Sequence, residues 1–140
     1  MNIVEDGYNW LIRLEKGEKV VESLIQIIRD NNIPSCWVSG IGGCLEAKVG
    51  FYDLPNQKMN WTDFKEMMEV TALQGNVSWT GTEPDLHLHV TLGKKDHTTM
   101  AGHVGELVTS GTMEIYLHRW YGPNWKKRMD PKTGIKILDI

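Results

Sequence analysis

The chain has 140 residues, 41% hydrophobic and 24% charged, the balance of an ordinary globular protein; this excludes disordered and fibrous classes and suits one domain, residues 1–140. A formal net charge of -3 gives no overall positive field to draw in a phosphate backbone, which argues against nucleic-acid binding over the whole surface but leaves room for a local basic patch. No apolar run reaches the roughly 18 residues of a membrane span, and Met1 to Asp6 lacks the basic and apolar regions of a signal peptide, so the expected location is the cytoplasm.

Tyr8 to Leu14, rich in aromatic and β-branched residues and closed by Glu15-Lys16-Gly17, predicts a strand. From Glu18 to about Asn31, Val21, Leu24, Ile25 and Ile28 recur at i, i+3, i+4 and i+7, the spacing of one buried helical stripe, and Asn31-Asn32 with Pro34 ends the helix. Ser35 to Ser39 predicts a strand running into a Gly40-Ile41-Gly42-Gly43 turn, with Leu45 to Asp53 a further strand. These glycines do not form a dinucleotide-binding fingerprint, which needs a third glycine at position 45 and a helix after it; here Leu45 and a strand pattern stand instead. A tight turn or a close subunit approach accounts for them better. Cys36 and Cys44 match neither a zinc-ribbon spacing nor a disulfide framework and are expected to be reduced and structural.

Pro55 to Thr62 is polar and turn-rich and reads as a loop. Strand patterns follow at Glu66 to Leu73, Asn76 to Thr80, Leu86 to Leu92, Thr99 to Val104 and Thr112 to His118. One strong helix among many antiparallel strands predicts an α+β fold: a largely antiparallel β-sheet with a flanking α-helix in one compact domain.

Between Asp85 and Leu92 the alternation is clean, so Leu86, Leu88, Val90 and Leu92 face one side and His87 and His89 the other. Gly93-Lys94-Lys95-Asp96-His97 reads as a hairpin loop. If Leu92 pairs with Thr98, His87 lies opposite His103; a register shifted by two residues pairs His89 with His103 instead. Either way the three imidazoles share a face, and opposed β-carbons stand about 4.5–5.5 Å apart. Three neutral imidazoles with an open fourth position suit a divalent metal, zinc first, although nickel, cobalt and copper share the chemistry. The alternative is three ordinary histidines on a half-exposed sheet. Glu114 alternates outward on its strand and is a weak candidate to orient a ligand imidazole or to serve as a general base; an ordinary cross-strand polar residue is the competing reading. His97 in the loop and His118 near a strand end are not expected to be ligands.

Several segments resemble the plants-and-prokaryotes-conserved (PPC) domain: Arg13 with Gly17-Glu18, Ser39-Gly40-Ile41-Gly42, Gly50-Phe51-Tyr52-Asp53 and Leu73-Gln74-Gly75-Asn76. The second half is similar to it as well, through Pro84 to Leu92, Ala101-Gly102-His103-Val104, Thr112-Met113-Glu114-Ile115 and Asp130-Pro131-Lys132-Thr133-Gly134. The resemblance implies a homotrimer, with the histidines at the family's metal-site positions in some prokaryotic members, and a DNA-binding label earned by plant members that carry AT-hooks. This chain has no Arg-Gly-Arg-Pro hook, and Ala101 replaces a usual glycine, so DNA binding does not carry over residue by residue.

Two functions follow, beside a third reading as a purely structural trimer. One is a zinc-holding trimeric module that binds partners, DNA weakly among them. The other is a zinc-dependent enzyme acting on a small molecule of unidentified class. Trp120, Tyr121, Trp125, Lys126, Lys127 and Arg128 form an aromatic and basic cluster able to meet phosphates and bases, or simply a solvated edge packed by its tryptophans. With Lys132 it offers three or four phosphate contacts, a salt slope of about -3.

Overall fold

A computed structural model describes residues 1–140. In chain order the elements are β1 (Asn2–Glu5), β2 (Asn9–Glu15), α1 (Val20–Asp30), β3 (Cys36–Asp53), β4 (Lys58–Phe64), β5 (Met68–Thr80), β6 (Glu83–Gly93), β7 (Thr99–Arg119), β8 (Lys127–Met129) and β9 (Lys136–Leu138). The architecture is therefore mostly antiparallel sheet with one short helix. No helix is long and apolar enough to cross a membrane.

Seven strands form one sheet in the order β1-β2-β7-β6-β5-β3-β4, and an additional pairing of β7 with β3 closes the circuit β7-β6-β5-β3. The two long strands make this possible. Strand β7 pairs with β6 over Thr99–His103 and with β2 over Thr112–His118, while β3 runs antiparallel to it from Cys36 to Gly50. Such bending needs irregularity, and the β3–β7 ladder shifts register at three points between Gly42 and Val49.

The expected turn at Gly40 to Gly43 is instead one of these irregular stretches within a continuous strand. Gly42 has φ +154, and a Cβ there would fall on the Thr112 carbonyl oxygen, so the glycine serves close approach of β3 to β7 within the chain. The expected loop at Pro55 to Thr62 shrinks to a turn at 54–57, and β4 begins at Lys58. Strand β4 lies at the sheet edge with mostly exposed residues, so no apolar alternation marks it. Two pairs of predicted strands also merge, into β5 and β7.

Helix α1 buries Val20, Leu24, Ile27 and Ile28, a stripe rotated by about one residue from the predicted one. Leu24 and Ile28 belong to both readings; packing against β6 and β7 decides the rest. Asn32, with φ 50, takes the left-handed position after the helix, and Ile33 N–H donates to the Ile28 carbonyl. At the other end Lys19 gives no side-chain cap. Glu106 of β7 replaces it: its carboxylate accepts from the backbone N–H groups of Val21 at 2.7 Å and Glu22 at 3.2 Å. Glu106→Ala is expected to cost about 1–2 kcal/mol of unfolding free energy, as loss of a cap does, measured by urea denaturation.

Ile12, Leu14, Leu73, Leu92, Met113 and Ile115 are among the fully buried core side chains, each contributing about 1.5–3 kcal/mol through burial. Cys36 and Cys44 are free and buried on the same strand, and burial pushes their thiols up to about 12 and about 11. They are inert structural residues, as the sequence predicted. On the outer side of the β2-β7-β3 region, Leu11, Trp37 and Ile41 are each at least half exposed. The C-terminal segment is pinned through fully buried Ser35, whose N–H donates to Asn124 Oδ1, whose hydroxyl accepts from Trp125 N–H and whose carbonyl accepts from Trp120 N–H.

Candidate metal centre

Period-two alternation along β6 buries Leu88 and Val90 and turns His87 and His89 outward. The β6–β7 register pairs His89 with His103, the second of the two arrangements open to the sequence, and not His87 with His103. The hairpin loop explains the choice. Gly93 pairs with Thr99, Asp96 accepts from the Thr98 N–H at 3.0 Å and its hydroxyl at 2.6 Å, and His97 takes a left-handed φ of 65.

The three imidazoles converge nonetheless. Their ligand atoms all lie within 4.8 Å of one another, and the Nε2 atoms of His87 and His89 are 3.3 Å apart. Two nitrogens bound tetrahedrally at zinc distances stand about 3.3 Å apart, so this separation fits a shared ion. Ring centroids are 4.1 Å apart for His89 and His103 and 5.3 Å for His87 and His103. The cluster sits on an open sheet face, with His87 and His89 exposed and His103 partly buried, which leaves a side free for a fourth ligand.

Desolvation, then the neighbouring His89, lowers the pKa of His87 and of His103 below the ordinary imidazole value; Lys127 adds to the effect at His87, and Asp85 opposes it. Both shifts favour the neutral imidazole, the form that binds a metal.

Beside the cluster, Asp85 Oδ1 accepts from Lys127 Nζ at 2.9 Å and its Oδ2 from Lys136 Nζ at 3.3 Å. Lys127 is only 6% exposed along its side chain. On β5, Gln74 lies opposite His89 and Asn76 opposite His87. The sequence reading gave none of Asp85, Lys127, Gln74 or Asn76 a role at the histidines; only the register and the folded-back C-terminal segment bring them there.

Glu114 is not part of the cluster. It lies on β7 opposite Arg13 and Ile41, and reaching the histidine strand across the sheet from there takes three steps, through β3 and β5, of about 4.8 Å each. His97 stands in the hairpin turn, and His118 packs edge-on against Tyr116 at 4.5 Å, both away from the cluster. Surface hollows also lie elsewhere; one between β3, β4 and β7 is lined by Lys19, Lys48, Asp63 and Glu106.

The sequence matches the Plants and Prokaryotes Conserved (PCC) domain over residues 1–120, and the chain belongs to that family. The structure of a Bacteroides thetaiotaomicron protein described as a candidate DNA-binding protein superposes with a TM-score of 0.93 at 25% identity, covering 99% of this chain and 96% of that one. A metal-containing protein from Archaeoglobus fulgidus gives 0.88 at 28% identity, covering 96% and 94%. A plant- and prokaryote-conserved protein from Pyrococcus horikoshii gives 0.87 at 24% identity, covering 99% and 94%, and bears on the fold. No curated protein matches the chain.

Proposed function

We propose that this protein is a cytoplasmic, zinc-binding, homotrimeric PCC module that works by binding partners. The observation that carries the metal reading is the convergence of the His87, His89 and His103 ligand atoms within 4.8 Å. The metal-containing relative from Archaeoglobus fulgidus supports it. When bound, zinc supplies a Lewis-acidic fourth position able to take water or a small ligand. His87, His89 and His103 hold the ion, and the Lys127–Asp85–Lys136 group beside them adds net positive charge at the rim. Trimerisation rests on the family resemblance and on the apolar outer face carrying Leu11, Trp37 and Ile41.

The module reading is favoured over a zinc-dependent enzyme by the composition of the cluster, which joins imidazoles alone. The carboxylate two residues before His87 is held by two lysines. Elemental analysis of the purified protein, combined with mass spectrometry of retained small molecules, tests the choice. Stoichiometric metal without a metabolite supports the module; a retained metabolite favours the enzyme; a protein that takes up no divalent metal overturns both.

The description of the Bacteroides relative raises DNA as a partner. The basic cluster is weaker than its sequence suggests: Lys127 is engaged by Asp85 and Arg128 by Asp139 at 3.2 Å, while Trp125 packs on both Trp120 and Trp37. Lys126 and Lys132 remain, so the salt slope per subunit is expected near -2 rather than -3. Titration of labelled duplexes across a salt series reads that slope. Nanomolar, sequence-selective binding at physiological salt would make DNA the principal partner.

A further inference from the structure

Asn76 of β5 is 7% exposed, and its Oδ1 is buried without a hydrogen-bond partner. A buried amide oxygen left unsatisfied carries a desolvation penalty, so its retention calls for a donor. Two residues stand directly opposite Asn76: Trp37 on β3 and His87 on β6. Trp37 is half exposed, with its ring packed edge-on against Trp125 at 5.4 Å. His87 directs its Nε2 toward His89 Nε2 at 3.3 Å, which leaves Nδ1 as the ring nitrogen turned away from the cluster.

A histidine that ligates through Nε2 must carry its proton on Nδ1, and that N–H needs an acceptor to fix tautomer and ring orientation. Asp85, on the same face two residues away, has both oxygens engaged by Lys127 and Lys136. Asn76 Oδ1 is free. We infer that Asn76 is a positioning residue for the metal centre, accepting the Nδ1–H of His87 and so presenting Nε2 to the ion; this rests on the metal reading proposed above.

Zinc alone is the probe, with affinity read by competition against a chelator of known strength. Asn76→Ala is expected to weaken zinc binding about 10- to 100-fold, the usual effect of losing an outer partner of a ligating imidazole. Asn76→Asp keeps the acceptor and is expected to restore wild-type affinity. In the zinc-loaded wild type, nitrogen-15 NMR of the imidazoles should show His87 protonated at Nδ1, with that proton protected from exchange. This measurement needs no substitution, so it holds even if Asn76→Ala fails to fold. Unchanged affinity in folded Asn76→Ala, or a His87 that binds zinc through Nδ1, overturns the assignment while leaving the three-histidine site standing. A wild type that binds no zinc removes both.

Discussion

His103→Ala is expected to purify without stoichiometric zinc, and His87→Ala and His89→Ala likewise. Structural zinc sites are worth about 10–16 kcal/mol in total, so removing one of three protein ligands should weaken binding by at least about a hundredfold. Because His87 and His89 are exposed and His103 only partly buried, alanine there leaves the apolar core intact, and the metal-free variants should melt close to the metal-free parent. His97→Ala and His118→Ala serve as controls. One lies in the hairpin turn and the other against Tyr116, so both should keep full metal. Elemental analysis of the five variants decides the matter. Full occupancy in His103→Ala would reduce the site to two ligands at most and leave β7 out of it; loss of metal in His97→Ala would move the site to the hairpin tip.

The histidine face was legible because a strand has period two: once Leu88, Val90 and Leu92 are core, His87 and His89 have one place to go. The pairing of His103 was legible only to within two residues. A polar loop from Gly93 to Thr98 closes in either register, and the winner is set by the Asp96–Thr98 hydrogen bonds and the left-handed backbone at His97. The length of β3 was hidden because Gly40, Gly42 and Gly43 carry the composition of a turn while serving a bent strand against β7. Asn76 was illegible as a site residue for a different reason. A polar residue in an alternating strand reads as surface until register places it opposite His87 and packing buries it. Lys127 reads as part of a solvated basic run until β8 folds back and sets its ammonium on Asp85.

The second large effect is expected at the outer face of β2, β7 and β3. At micromolar concentration light scattering should report about three chains for the wild type and one for Ile41→Glu. Ile41 is 58% exposed, borders the same shallow hollow as Leu11 and Tyr116, and lies opposite Glu114 in register. Burying each such apolar side chain between subunits yields about 1.5–3 kcal/mol, repeated at three equivalent interfaces. A carboxylate at position 41 loses that term, brings an unpaired charge into the contact and adds repulsion from Glu114. Its exposure in the single chain makes the substitution harmless to the fold, so thermal unfolding of a dilute sample should change little. A wild type that stays monomeric refutes the trimer, and a variant that stays trimeric places the interface on another face. The metal supplies an internal check. All three histidines come from β6 and β7 of one chain, so monomeric Ile41→Glu should still bind one zinc per subunit. Loss of zinc together with trimerisation would mean that a neighbouring subunit completes the centre.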